Sequence, residues 1–255
     1  DLLITSPRDA IQLDITFNVQ PLSIDEVVAL ENRIEERYEV SSLIVPLGGI
    51  ALYPAMITEE ASLPYLVETF AHEWLHHYLY FYPLGLSYFT GDPAQNEART
   101  INETTADIFG KEIARLVLAR YYPEFIAQQR SLPPHTLAQP TFDFAAEMNE
   151  TRVTVDELLA NGDIRRAEAY MEQRREVFFA NGFRIRKINQ AFFAFYGGYQ
   201  GGGGVPGTGG ADPIGPAIRA IRELSASPYE FVLNLRDITS TAQLIQRQDK
   251  LQRTN

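Results

Sequence analysis

A strongly apolar helical stretch interrupted by ionisable side chains constrains the fold of this chain more than any other feature. Residues 70–82 read FAHEWLHHYLYFY, and His72 and His76 lie four positions apart within that run. Positions four apart share one face of an α-helix, so the two imidazoles can point at one place. Glu73 lies about 100° further round the helix, and burying its carboxylate is costly unless a partner compensates. The stretch therefore predicts a helix built around a polar site.

The pattern His-Glu-x-x-His is typical of zinc sites. Zinc accepts histidine nitrogen at about 2.0–2.1 Å, and a catalytic zinc site uses three protein ligands and leaves one position for water. His72 and His76 are two candidate ligands, and Glu73 can reach a water on the metal, which is the position of a general base. The alternative is a pair of core or surface histidines that match a short pattern by chance.

A second motif supplies a candidate for the third ligand. The sequence Asn-Glu-Thr-Thr-Ala-Asp spans residues 102–107, in a segment predicted to be helical from about Pro93 to Tyr121, with Asp92 as its N-cap. Glu103 and Asp107 share a face of that helix. Glu103 can bind the metal, and Asp107 can accept a hydrogen bond from the non-ligating N–H of a zinc histidine, which fixes the tautomer.

These two motifs, in this order and with the second glutamate 27 positions after His76, resemble those of the gluzincins, the thermolysin-like clan of zinc metallopeptidases. The matched part covers roughly residues 63–121, under a quarter of the chain. The resemblance implies a bound Zn²⁺ ion, a zincin-like arrangement of the two motif helices, and the ligands His72, His76 and Glu103.

The resemblance also implies roles for the neighbouring residues. Glu73 is the base that activates the attacking water, and Asp107 orients a ligand histidine. We place Asn102, next to the third ligand, with Asp107 among the residues that support the ligands.

Departures from the family pattern limit what the resemblance implies. Leu79 and Tyr82 stand where a metzincin has its glycine and third histidine, so that pattern is excluded. The Gly-x-Met-Glu-Asn element of the aminopeptidase branch and the Asn-Ala strand signature of thermolysin are also absent from the sequence. We therefore expect a divergent gluzincin, to which neither endopeptidase nor aminopeptidase specificity carries over.

Two further roles are suggested by the family pattern. Gluzincins bind the substrate backbone along an edge strand just before the zinc helix, and Ile50, Ala51 and Leu52 are the candidates here. An ordinary core strand is an equal alternative. Gluzincins also commonly use a Tyr or His to stabilise the oxyanion. No His follows His135, so Tyr196 is the candidate donor, with Tyr199 beside it and core packing as the alternative.

The remaining sequence predicts an α+β fold that is predominantly helical. A small N-terminal sheet precedes the zinc-binding helix pair, and a helical C-terminal half follows. Strands are predicted over 11–17, 43–46 and 49–53. Outside the two motif segments, helices are predicted over 23–39, 154–160, 163–180, 185–196, 213–224, 228–236 and 240–253.

The Pro-rich segment 131–142 reads as a connector between two halves. We therefore predict a catalytic subdomain over residues 1–130 and a helical subdomain over 131–255. The second contains a Gly-rich loop at 197–210, with nine glycines in 14 positions. A flexible loop is the favoured interpretation of that segment, with a gating lid as the alternative.

Charge and composition exclude several classes of partner. A net charge of −11 argues against nucleic acid, which needs a basic patch. No stretch of the sequence is long and apolar enough to span a membrane. The chain begins at Asp1 rather than at Met, so a signal peptide or an N-terminal anchor can have preceded it, and we expect an exported or membrane-anchored extracytoplasmic protein.

The sequence therefore predicts a zinc metallopeptidase that acts on a peptide or protein substrate. Three alternatives remain open at this stage. One is an aminopeptidase-like zinc hydrolase of small peptides, and another is a non-catalytic binding protein that retains the metal. The third is a helical domain in which both motifs are coincidence, and metal content separates it from the others.

Overall fold

The computed structural model describes residues 1–58, 62–89, 96–131, 142–201 and 204–254. Five strands lie within residues 1–58: β1 (Leu2–Pro7), β2 (Thr16–Asn18), β3 (Val40–Val45), β4 (Gly49–Ile50) and β5 (Met56–Ile57). The described helices are α1 (Ile24–Tyr38), α2 (Leu63–Leu79), α3 (Pro83–Phe89), α4 (Asn96–Tyr121), α5 (Pro123–Ser131), α6 (Phe144–Ala160), α7 (Ile164–Ala180), α8 (Gln190–Tyr196), α9 (Ile214–Leu224), α10 (Pro228–Leu235) and α11 (Thr241–Thr254). The predicted α+β class, mostly helical with a small N-terminal sheet, is confirmed.

The N-terminal sheet is antiparallel and has the strand order β2-β1-β3. Leu2 pairs with Val45 on one side and with Asn18 on the other. Strands β4 and β5 form a separate two-stranded sheet, in which Gly49 pairs with Ile57. These two sheets account for all the strands in the described ranges.

The strand predictions are only partly right. Strand β1 has no predicted counterpart, and the segment predicted over 11–17 is regular strand only from Thr16 onward. Before Thr16 the chain still follows β1, because Thr5 accepts a hydrogen bond from Asp14 N and donates to Ile15 O. The strand predicted over 49–53 ends at Ile50, where Leu52 N folds back onto Ile50 O.

The clearest local signal, at the start of α1, is confirmed. Ser23 and Glu26 form the predicted capping box, in which each side chain bonds the backbone N–H of the other residue. The helix ends at Tyr38, and the residue that caps it, Glu39, has a left-handed backbone with φ of 54°. Reciprocal bonds of this kind satisfy amide groups that a helix leaves unpaired at its N-terminus.

A similar signal at Thr154 does not start a helix. Helix α6 begins ten residues earlier, with Asp143 as the N-cap that accepts from Ala146 N. Met148, Val155 and Leu159 recur at helical spacing and are all buried, so the helix continues through Thr154. The starts predicted for helices near 163, 213, 228 and 240 agree with α7, α9, α10 and α11 within one residue, whereas α8 begins at Gln190 and is shorter than predicted.

The chain folds into two compact units that are each discontinuous in sequence. Unit 1 contains residues 1–47 and 142–212, and unit 2 contains residues 48–141 and 213–255. The predicted division into 1–130 and 131–255 differs from this one. The N-terminal sheet shares its core with α6, α7 and α8, and the motif helices share theirs with α9, α10 and α11. Of the predicted connector, residues 132–141 lie outside the described part of the chain.

The described part of the Gly-rich segment is bonded within unit 1. Arg152 Nη1 donates to Thr208 O at 3.0 Å, and Asn149 Nδ2 donates to Gly210 O at 3.1 Å. Gln200 Nε2 donates to Asp212 Oδ2 at 2.9 Å. These contacts attach both sides of the segment to their surroundings, while its flexibility stays a prediction.

Candidate metal centre

The site lies in unit 2, where α2 packs along α4. Apolar side chains hold the two helices together, and they are Ala71, Leu75 and Leu79 on α2 with Ala98, Ile101 and Ala106 on α4. Gly110 on α4 allows a close approach, because a Cβ at that position would lie 2.8 Å from Glu68 O and 3.3 Å from the Cβ of His72. This packing leaves the polar residues of the two motifs facing each other.

Three potential ligand atoms converge between the two helices. His72 Nε2 lies 3.0 Å from His76 Nε2. Glu103 Oε2 lies 3.2 Å from His72 Nε2 and 3.5 Å from His76 Nε2. The structure thus brings together the three residues that the sequence named as ligands, and in the described part of the chain no other group of His, Cys, Asp or Glu is placed to hold a metal.

The other nitrogen of each imidazole has an acceptor facing it. His76 Nδ1 lies 2.7 Å from Asn102 Oδ1, and Asn102 Nδ2 donates to Leu84 O at 3.5 Å. That second bond orients the amide so that its oxygen faces the histidine. His72 Nδ1 lies 3.5 Å from Asp107 Oδ1. These acceptors hold a proton on each Nδ1, so Nε2 is the nitrogen of each ring that can bind a metal once it has no proton.

The donor set fits a zinc ion. Two Nε2 lone pairs and one carboxylate oxygen face one another, and Glu103 Oε2 is buried with no hydrogen-bond partner among the described residues. Three acceptors at such distances repel unless a cation or a proton lies between them. Zinc bonds of about 2.0–2.1 Å to tetrahedral ligands imply ligand separations of about 3.3 Å, which is close to the three distances observed.

The two carboxylates near His72 hold a proton on its ring, and a metal cation can take the place of that proton. Burial lowers the pKa of His72, but the carboxylates of Asp107 and Glu103 outweigh burial and raise it to about 10. Burial raises the pKa of Glu103, but the charges of His76 and His72 outweigh it and hold that pKa well below its usual range. A metal ion that binds these atoms therefore displaces a proton from His72.

Glu73 lies beside the three converging atoms, with its carboxylate against β4. A Cβ on Gly49 would lie 2.7 Å from Glu73 Oε1 and 2.6 Å from Thr69 Cγ2, so the glycine lets the strand pass close to both side chains as they are placed. The side chain of Glu73 is almost fully buried. Burial raises its pKa, and the positive charges of His72 and His76 offset that rise only in part.

Tyr88 belongs to the site but is not predicted from the sequence. It lies on α3, its ring stacks on His76 with 5.5 Å between the ring centroids, and its hydroxyl donates to Glu103 Oε1 at 2.7 Å. Burial raises the pKa of Tyr88, so the hydroxyl keeps its proton. It lies on a different helix from His76, so no helical spacing relates the two residues, and neither motif contains it.

The other predicted site residues have mixed outcomes. Ile50 lies on β4, whereas Ala51 and Leu52 follow the strand and belong to no regular element. The strand is therefore shorter than predicted, and the binding of a substrate backbone by these residues stays a prediction. Tyr196 lies in unit 1 and packs against Phe192 and Phe195, and its assignment as the oxyanion donor remains a prediction.

Neither the search for membrane-spanning helices nor the comparison with known proteins adds evidence about the function of the site. Among the helices of the described ranges, none combines the length and apolar character that crossing a membrane requires. Comparison with known proteins found no family model, no curated protein and no solved structure that matches this chain.

Proposed function

We propose that this protein is a zinc-dependent metallopeptidase. One observation carries the proposal: Nε2 of His72, Nε2 of His76 and Oε2 of Glu103 converge within 4.8 Å of one another beside the buried carboxylate of Glu73. A structural zinc site closes all four positions with protein ligands, whereas three protein ligands leave one position for water or substrate.

The residues of the site have different roles in the proposed reaction. His72, His76 and Glu103 would hold the ion, and Asp107 and Asn102 keep the two imidazoles in the ligating tautomer. When bound, zinc would supply a Lewis acid that polarises the scissile carbonyl and lowers the pKa of water. Glu73 takes a proton from the attacking water at its carboxylate and passes that proton to the leaving amine.

The environment of Glu73 suits a general base. A carboxylate of ordinary pKa is a weak base at neutral pH, and a raised pKa brings it closer to the value at which proton transfer is efficient. Burial raises the pKa of Glu73 in this direction. The same burial keeps bulk water away from the carboxylate. The proton that Glu73 accepts is therefore passed to the leaving amine and is not lost to solvent.

Metal content tests the ligand set. We expect about one zinc ion per chain by elemental analysis of wild type, and strongly weakened binding in Glu103→Ala, because a catalytic zinc needs three protein ligands. Wild type that holds no zinc after reconstitution would remove the proposal. Zinc retained fully by Glu103→Ala would keep a metal site but reject the ligand set.

Glu73→Gln tests whether the site is catalytic. We expect this variant to bind zinc like wild type and to lose at least 100-fold in kcat on a peptide that wild type cleaves, because it removes the general base. Glu68→Gln is the matched control, since Glu68 is a half-buried carboxylate on α2 whose pKa burial also raises, outside the ligand cluster. Full activity in Glu73→Gln contradicts the mechanism, and a zinc-loaded wild type that cleaves no member of a peptide library favours a binding protein.

A further inference from the structure

The two oxygens of the Glu103 carboxylate have different environments. Oε2 faces the two histidine nitrogens and has no hydrogen-bond partner among the described residues. Oε1 accepts a hydrogen bond of 2.7 Å from the hydroxyl of Tyr88. One oxygen is therefore directed at the candidate metal position, and the other is occupied by a donor.

The donor is held in place from two sides. The ring of Tyr88 stacks on the ring of His76, with an angle of 25° between the two planes. Its helix, α3, is attached to the rest of unit 2 at Leu84, where Leu84 N donates to Arg236 O at 3.0 Å and Leu84 O accepts from Asn102. The hydroxyl can therefore not follow Oε1 freely if the carboxylate rotates.

We propose that Tyr88 is a positioning residue that limits Glu103 to one-oxygen coordination and so keeps the fourth position of the metal open. Carboxylates bind metals through one oxygen or through both, and a second oxygen from Glu103 would take the place that a catalytic zinc reserves for water. This inference rests on the proposed metal site.

The proposal completes a regular arrangement in which each ligand has one supporting residue. Asn102 faces His76, Asp107 faces His72, and Tyr88 bonds Glu103. The first two partners fix which nitrogen of each ring faces the metal. Tyr88 has the equivalent effect on the carboxylate, because it fixes which oxygen does so.

Tyr88→Phe tests the proposal because it removes the hydroxyl and keeps the ring that stacks on His76. The probe is Co²⁺ in place of zinc, whose visible absorption is several times stronger with four ligands than with five or six. We expect wild type to give the strong absorption and Tyr88→Phe to lose several-fold of it. We also expect the variant to bind zinc roughly 10-fold to 100-fold more weakly, as is typical when a residue that supports a ligand is lost.

Tyr78→Phe is the matched control, since Tyr78 lies on α2 and its hydroxyl bonds Arg236 and no metal ligand. Its cobalt spectrum should match wild type. An unchanged spectrum in Tyr88→Phe overturns this inference alone, whereas a wild type that binds neither metal overturns it together with the proposed function. X-ray absorption of zinc-loaded wild type decides the point without any variant, because two oxygens from Glu103 at bonding distance also overturn it.

Discussion

At the scale of single residues, Gly110 sets the distance between the two motif helices. Its missing side chain lets α4 approach the backbone of α2, where Glu68 O would lie only 2.8 Å from an added Cβ. Backbone atoms cannot rotate out of the way as a flexible side chain can. The separation between His72 and Glu103, and hence the size of the candidate site, depends on this glycine.

Replacing Gly110 by alanine should push α2 and α4 apart. We expect Gly110→Ala to lower the free energy of unfolding by about 1–3 kcal/mol, which is typical of overpacking, and to weaken zinc binding at least 10-fold. Urea unfolding and competition with a chelator measure the two effects. Arg115→Ala, at an exposed position on the same helix, is the control and should change neither. Unchanged zinc affinity in Gly110→Ala would show that the site tolerates a wider separation.

At the scale of elements, Glu31 joins three parts of unit 1. It lies on α1 with a side chain that is almost fully buried, and Oε1 accepts from Ile44 N of β3 at 2.7 Å. Arg186 donates to both carboxylate oxygens, at 2.6 and 2.7 Å, and Lys187 lies 3.3 Å from Oε2. One buried carboxylate thus ties a helix, a strand and the segment that precedes α8.

This carboxylate should make the stability of the fold depend on pH. Burial raises the pKa of Glu31, but the bonds and charges of Arg186 and Lys187 outweigh burial and lower it below 4.5. A group whose pKa is lower in the folded state stabilises the protein above its unfolded pKa. That stabilisation is lost as the pH falls through the folded pKa.

We therefore expect Glu31→Gln to destabilise the protein by on the order of 2 kcal/mol at pH 7, because it removes the charge from the hydrogen bonds that Arg186 and Ile44 make to this buried side chain. The difference from wild type should shrink as the pH falls below about 4.5. Urea unfolding followed by circular dichroism at pH 7 and at pH 4 measures both values. Glu36→Gln, on the exposed side of the same helix, is the control. A difference that is equal at both pH values contradicts the assigned role.

Short sequence motifs predict the ends of a helix correctly where the folded protein forms the hydrogen bonds that the motif implies. Ser23 begins α1 because its capping box is formed, and Asn181-Gly182 ends α7 as predicted. Thr154 has the same type of signal, but burial of Val155 and its neighbours on α6 outweighs it. Strand β1 has no predicted counterpart because its side chains do not alternate between buried and exposed positions, and Ile4, Thr5 and Ser6 are buried in succession.

The residues of the candidate site that lie at helical spacing within the two motifs were predictable from the sequence. His72 and His76 share a face by spacing alone, and the second motif pointed to Glu103 and Asp107. Tyr88 was not predictable, because its place depends on the turn between α2 and α3 and on how α3 packs on α4. For Gly110, the only indication in the sequence is that a single glycine stands inside a helical segment, which often marks a position of close packing.

At the scale of the whole molecule, the chain passes between its two units three times. The first passage is near residue 47, the second follows residues 132–141, which lie outside the described ranges, and the third is near residue 212. The Pro-rich segment resembles a linker in composition, and composition does not show which helices share a core. Ile4, Leu43 and Val45 pack with residues of α6 to α8 that follow the predicted boundary, so neither predicted half contains a complete core.

A chain that ends at residue 130 should therefore not fold. Such a fragment lacks α6 to α8, which cover the N-terminal sheet, and α9 to α11, which share the core of the motif helices. We expect it to show no cooperative urea transition by circular dichroism, because the apolar side chains that these helices cover would stay in contact with water and their burial is the main driving force for folding. We also expect it to bind zinc at least 100-fold more weakly than the full chain, because the site forms only in the folded chain.

Co-expression of residues 1–130 and 131–255 as separate chains is the control for that fragment. This pair keeps every residue and breaks one peptide bond, so it should assemble, show a cooperative transition and hold zinc. The comparison separates loss of covalent continuity from loss of core residues. A fragment 1–130 that folds and binds zinc alone would mean that α9 to α11 are dispensable for the metal helices, and the division predicted from the sequence would then describe the protein better than the two compact units do.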